Sequence, residues 1–196
     1  MSSQTLQRLE IAATAGTMWR IDPLHSTIGF SVKHMMFATV HGRFAGFRGT
    51  IRFDDDHPDD AEVEVEIDAA TIDTGIKKRD DHLRSADFFD VAVYPTISFR
   101  STRVEPFNRF GRHHWLVVGN LTIHGVTRSV ELAVEQTGAP EPWHTDVIEF
   151  GATATINRKD FGMEFTLPIE GGGLVVGNEV KIAISVQASK TPIVSR

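Results

Sequence analysis

Along most of this chain apolar and polar side chains alternate with a period of two, the pattern of strands with one dry and one wet face. In residues 26–34, Ile28, Phe30 and Val32 share a face opposite Thr27, Gly29, Ser31 and Lys33. In 42–53, Phe47, Ile51 and Phe53 oppose Arg48, Thr50 and Arg52. The sharpest alternation is in 61–68, with Val63, Val65 and Ile67 against Glu62, Glu64 and Glu66. That glutamate row predicts a solvated outer face which also blunts a sheet edge. Further strands are predicted at 96–105 (Ile97 and Phe99 inward), 112–124 (Trp115, Val117, Leu121, Ile123) and 126–136 (Val130, Leu132, Val134). Two more follow at 146–157 (Ile148, Phe150, Ala152, Ala154, Ile156) and 178–190 (Val180, Ile182, Ile184, Val186). A short extended piece at 19–22, ended by Pro23, precedes them all. His124 and Gly125 predict a two-residue hairpin turn, since glycine accepts positive φ. About eight strands with hairpin connections predict an antiparallel up-and-down barrel or a sandwich. The small inward residues Ala152 and Ala154 leave room inside, as a barrel holding a guest requires.

Other stretches break the alternation. Residues 54–60 (DDDHPDD) predict a solvated turn and lack the glycine and terminal glutamate of an EF-hand. The segment 71–95 is too long for a hairpin connection. It predicts a short helix over 80–87 and a plug formed by Phe88 and Phe89, as in a lid or binding loop. One helical turn is predicted at 158–162, and loops at 137–145 and 163–177. Met35, Met36, Phe37, Phe88, Phe89, Phe161, Met163 and Phe165 come from three such insertions. They suit either a surface that adapts to a long guest or the ordinary closure of a barrel end.

Composition narrows the function. The chain has 196 residues, a size at which one core needs no staple, and no cysteine, which removes disulfides and thiolate chemistry. A net charge of −6, with basic residues interspersed among acidic ones, argues against nucleic acid as a partner. No apolar run reaches the ~18 residues of a membrane-spanning helix. The first residues carry Gln7, Arg8 and Glu10 where a signal peptide needs an unbroken apolar run, so a cytoplasmic protein is expected. The domain plan is a lead-in over 1–16, one barrel over 17–190 and a tail over 191–196.

Candidate chemistry is thin. Nine histidines invite a metal, but there is no HExxH, and His113 and His114 point to opposite faces of a strand. Only His34 and His41 have a spacing that lets them meet across a corner. Ser26 beside His25 makes no nucleophile elbow. Gly171–Gly173 with Gly177 precede a strand instead of a helix, and so read as a hairpin loop. An enzymatic alternative would place His25, Asp80 and His82 at a barrel mouth as a hydrolase-type site. A third reading is a solid-cored barrel acting as a scaffold. No cofactor or metal is expected, and the sequence admits a homodimer.

Taken in order, IDPLHSTIGFSVKH, VHGRFAGFRGTIRFD, ATIDTGIKKRDDHLRSADFFDVAVYPTISFRS, VVGNLTIHGVTRSVEL, FGATATINRKDFGM and VGNEVKIAISV resemble the YceI-like, lipocalin-like polyisoprenoid-binding proteins. The resemblance covers nearly all of 17–190. It implies an all-β, eight-stranded antiparallel lipocalin-like barrel with a short helical insertion, holding a polyisoprenoid, isoprenoid quinone or fatty-acid-like lipid without catalysis. On that resemblance Ile28, Phe30, Val32, Phe47, Ile51, Phe99, Trp115 and Phe150 are the expected tunnel wall. Phe37, Phe88, Phe89 and Met163 are expected from the loops. His34, Arg43, Arg79, His82 and Arg158 are the polar candidates for a ligand head group.

Overall fold

The computed structural model describes residues 16–35, 38–54, 56–107, 114–138, 146–166 and 176–190. The expectations for 1–15, Met36 and Phe37, His113, the loop at 139–145, Gly171–Gly173 and the tail at 191–196 lie outside the described residues. The strands are β1 (Thr17–Ile21), β2 (Thr27–His34), β3 (Ala38–Phe44), β4 (Phe47–Phe53), β5 (Glu62–Asp68), β6 (Ile72–Asp73), β7 (Thr96–Pro106), β8 (His114–Ile123), β9 (Val126–Gly138), β10 (Val147–Asn157) and β11 (Val176–Lys190). One helix, α1 (Lys77–Arg84), follows β6. Eight strands close an antiparallel ring in the order β1-β4-β5-β7-β8-β9-β10-β11, with β11 returning to β1.

The ring is simpler than eleven strands suggest, because two pairs are bent halves of longer strands. β1 and β2 both run along β11, with Ile21 opposite Ala188 and Thr27 opposite Ser185. Between them the Asp22 carboxylate accepts from the Leu24 N–H at 2.9 Å and pairs with His25 Nδ1 at 2.8 Å. The Ser26 hydroxyl donates to the Gln187 carbonyl at 3.2 Å and accepts from the Gln187 N–H at 3.0 Å. The strand predicted over 42–53 is likewise split. Thr71 intercepts it, accepting from the Ala45 N–H with its carbonyl and from the Gly46 N–H with its hydroxyl, at 3.3 and 2.9 Å. A Cβ at Gly46 would sit 2.8 Å from the Thr71 methyl, so glycine permits this approach.

That break positions the insertion. β4 stays in the ring with β1 and β5, while β3 pairs with β2 and with the two residues of β6. β6 hands the chain to α1 at the end of the barrel that holds His34, Ile123 and Asn157; Phe53, Trp115 and Phe150 lie toward the opposite end. The helix begins three residues earlier than predicted. The Asp80 carboxylate turns back to accept from the Thr74 N–H at 2.9 Å and from its hydroxyl, while Arg79 donates to Thr74 Oγ1 and O, each at 2.7 Å. These bonds fix the first turn, and Ser85 in extended conformation ends the helix before 87. The predicted 54–60 turn contains a 3-10 helix, Pro58–Asp60, and the turn at 158–162 is a 3-10 helix, Arg158–Phe161. At the β8–β9 hairpin His124 and Gly125 both have positive φ, 51° and 72°, as a type I′ turn requires.

Glu62, Glu64 and Glu66 face outward but are not merely solvated. Each is paired across strands, with Arg52, Arg100 and Arg48 respectively. This outer face is charged, unlike the apolar band of a membrane-spanning barrel.

Candidate ligand tunnel

The inward face of the ring does not pack solid. It encloses a cavity of about 250 Å³ along the barrel. Inward aliphatic residues such as Val65, Val130, Leu132 and Ile184 line it and stay half-buried, since the lumen beside them is empty. The alternating pattern thus folds into a tube, and the small residues Ala152 and Ala154 on β10 line it. At about 24 cal/mol per Å³, a void of this size costs on the order of 6 kcal/mol against a filled core. That is comparable with the whole stability of an ordinary domain, about 5–15 kcal/mol.

One end is closed by aromatic rings. Phe53 from β4, Trp115 from β8 and Phe150 from β10 meet edge to face, with centroids 5.5, 5.6 and 5.9 Å apart. Their strands are spread around the eight-membered ring, so side chains that touch one another must cross its middle. At the other end α1 and the segment after it form a lid. Phe88 packs between His82 and Phe165, at centroid distances of 5.1 and 5.2 Å. Phe89 meets Phe44 edge on at 5.8 Å, and Phe44 in turn meets Phe30 at 5.7 Å. Leu83, Phe88, Phe89 and Met163 all line the tunnel at this end.

Arg158 is the one charged side chain among the described residues that line the tunnel. It is only 3% exposed. The 3-10 helix after β10 carries it, and its guanidinium donates to the Gly177 carbonyl at 3.0 Å, to Asn178 Oδ1 at 3.2 Å and to the Met163 carbonyl. All three acceptors are uncharged, and two of its five N–H groups have no partner among the described residues. Burial lowers its pKa from the ordinary arginine value.

The residues singled out from sequence divide clearly. Ile28, Phe30, Val32, Ile51, Phe99, Trp115, Phe150, Phe88, Phe89, Met163 and Arg158 line the tunnel. Phe47 does not; it packs against the core cluster at the start of β4, opposite Ile67. Arg43 alternates with inward Phe44 and so points out, where it pairs with Asp73 at 3.4 Å. Arg79 is spent on the Thr74 clamp described above. His82 pairs with Asp87 at 2.7 Å and touches the lid aromatics by its ring. His34 continues the inward face of β2 beyond Val32, but is not among the residues lining the tunnel. His41 pairs with Ser31 in register and faces the other side of the sheet, so His34 and His41 do not converge. Among the described residues no histidine or carboxylate cluster is arranged for a metal.

The hydrolase-type trio is not assembled either. His25 is held by Asp22 at the exposed β1–β2 corner, buried Asp80 by Thr74, and His82 by Asp87. Several tunnel residues went unread in the sequence, Phe44 and Leu83 among them, together with Ile21, Ala61, Val104 and Val176, and Gly29 lines the tunnel although the alternation put it on the wet face. The signal for Phe44 was present, because it lies opposite Ile28 and shares a face with Val40. Placing Leu83 required the location of the helix.

The comparisons with known proteins agree with this geometry. The YceI-like domain family matches residues 19–188. A UPF0312 protein of Pseudomonas aeruginosa is 34% identical over 164 residues, which is 83% of this chain and 81% of its own length. Another, from Photorhabdus laumondii, is 36% identical over 144 residues, 73% of each chain. Among solved structures, BcnA of Burkholderia cenocepacia superposes with a TM-score of 0.75 at 25% identity, over 86% of this chain and 99% of BcnA. The YCEI protein of Campylobacter jejuni gives 0.68 at 27% identity, over 81% and 90%. A polyisoprenoid binding domain from Saccharophagus degradans shares the fold at 15% identity, with a TM-score of 0.67 over 90% of this chain and 100% of that domain. From its first barrel strand to its last, the chain belongs to the YceI-like family.

Proposed function

We propose that the protein binds one long apolar molecule, a polyisoprenoid, isoprenoid quinone or fatty-acid-like lipid, with its tail in the tunnel and its polar head toward Arg158. The observation that carries this reading is the hollow lumen, lined among the described residues by apolar side chains and one buried cation, Arg158, at the lidded end. Burying each CH₂ of a tail contributes about 0.8 kcal/mol, so roughly ten carbons supply about 8 kcal/mol before ordering costs. The empty lumen supplies the complement, because once filled it regains the contacts it lacks when empty. The polyisoprenoid binding domain of Saccharophagus degradans has a barrel of the same fold, which is in keeping with this class of ligand.

The test is native mass spectrometry of protein purified without detergent, paired with analysis of an organic extract. An added mass that disappears on extraction and reappears as a lipid is expected. A folded preparation that carries no lipid and binds no fluorescent fatty or isoprenoid probe would refute carriage.

A further inference from the structure

The tunnel has a floor, and the floor has a defined depth. Phe53, Trp115 and Phe150 project from strands on three sides of the ring and touch across its middle, so a chain entering past the lid must stop at their rings. From Phe150 to Ile156 along β10 is about 20 Å, and from Trp115 to Ile123 along β8 about 26 Å, at ~3.3 Å per residue. With barrel strands tilted ~35–45° to the axis, the usable depth is roughly 15–20 Å. An extended chain advances about 1.2 Å per bond, as the three-bond peptide repeat does, so that depth takes about 12–16 bonds. The volume points to the same range. A ~150 Å³ apolar cavity accommodates the six carbons of benzene, so the 250 Å³ lumen takes on the order of ten.

We infer that the Phe53–Trp115–Phe150 cluster is a length stop, and that the protein selects apolar tails of about 10–16 main-chain carbons, which for a prenyl chain is about three or four units. This rests on the carrier reading above and adds the residues that set chain length. Apart from Arg158 at the lidded end, the side chains lining the wall above the rings among the described residues are apolar, so they contribute to any chain alike and do not discriminate length. The rings act differently. Carbons added before the chain reaches them are buried; carbons added afterwards remain at the mouth and disturb the lid. Affinity should therefore climb steeply with length and then level off.

The test uses ligand-stripped full-length protein and straight-chain carboxylates of increasing length, with a parallel series of prenyl alcohols, each displacing a fluorescent fatty-acid probe. In the unmodified protein each added carbon should tighten binding about fourfold until a break at about 10–16 carbons, after which affinity stops rising. Phe150→Ala removes a ring from the floor and should move the break to chains longer by about four carbons. Ala152→Leu, one inward position nearer the lid on β10, raises the floor and should move it to shorter chains. This second variant fills space instead of opening it, so it keeps the question answerable if Phe150→Ala unfolds. Breaks that coincide in all folded variants, or an affinity that rises without a break past about 20 carbons, would overturn the length stop and leave the carrier reading intact. Failure of both series to bind at any length would overturn both.

Discussion

Arg158 concentrates the cost of the site in one side chain. Its guanidinium satisfies two carbonyls and the Asn178 side-chain oxygen, so removing it leaves three acceptors behind. Each acceptor stripped of its partner in a buried place costs about 1–3 kcal/mol, so with three of them Arg158→Met should lower the stability of ligand-free protein by at least about 3 kcal/mol in urea unfolding. The same variant should weaken a carboxylate probe more than a prenyl alcohol, since only the former places a charge beside the guanidinium. Equal weakening of both would remove Arg158 from head-group recognition. The sequence shows an arginine after a strand. Its burial depends on residues 163, 177 and 178, which folding alone brings around it. Three carboxylates are shifted in the direction that links folding to acid. Asp22 is held below the usual carboxylate range first by its hydrogen bond to His25, Asp73 by the Gly75 N–H, and Asp81 by Lys77. A lowered folded pKa stabilises fully above the unfolded value near 4 and is lost as pH falls through the folded one. Unfolding midpoints should thus be insensitive to these groups between pH 6 and 8 and decline below about pH 4, and Asp22→Asn, Asp73→Asn and Asp81→Asn together should flatten that decline.

At the scale of elements, the lid and the ladder of charges behave differently. Phe88 is buried and Phe89 half-buried, and both reach the tunnel from the segment after α1. Replacing both with alanine removes buried contacts worth several kcal/mol, but it also opens the aromatic cover that the pair makes with Phe44 and Phe165 at this end. The double variant should release a bound probe faster in stopped-flow dissociation than its loss of stability alone would produce. An unchanged off-rate in a destabilised protein would make the pair plain core. The glutamates of β5 stand outside, opposite arginines of β4 and β7. Exposed pairs are worth about 0.2–1 kcal/mol each, so changing Glu62, Glu64 and Glu66 to Gln should cost under about 3 kcal/mol and leave probe affinity unchanged. Lost affinity in a folded triple variant would show that β5 turns its other face to the lumen. Alternation revealed which face of each strand is dry, since a side chain has only two sides to choose from. It did not reveal the charge pairs, which depend on register between strands far apart in the chain. Nor did it reveal the kinks at 22–26 and 45–46, where side chains replace ladder hydrogen bonds.

For the whole molecule, occupancy and stability are one measurement. A ligand that binds only the folded barrel stabilises it by about 2.7 kcal/mol at a hundred times its Kd, so melting temperature should rise with added probe and fall after lipid extraction. An all-β fold was legible because eight dry faces of strand length must be hidden from water, but a barrel and a sandwich hide them equally, and only the family resemblance chose the barrel. Hollowness showed only in the small inward residues Ala152 and Ala154, because an alternating strand otherwise reads the same over a void as over packed neighbours. The ring itself closes where β1 meets β11, through Trp19 opposite Lys190, Arg20 opposite Ser189 and Ile21 opposite Ala188. The first strand of the barrel therefore waits for the last. A ribosome must release almost the entire barrel sequence before any lumen exists, so no lipid can be taken up on the nascent chain, and long-range pairing of this kind places folding in the slow range of about milliseconds to seconds. On the carrier reading proposed above, loading is consequently an event in the life of the finished protein, separate from its synthesis.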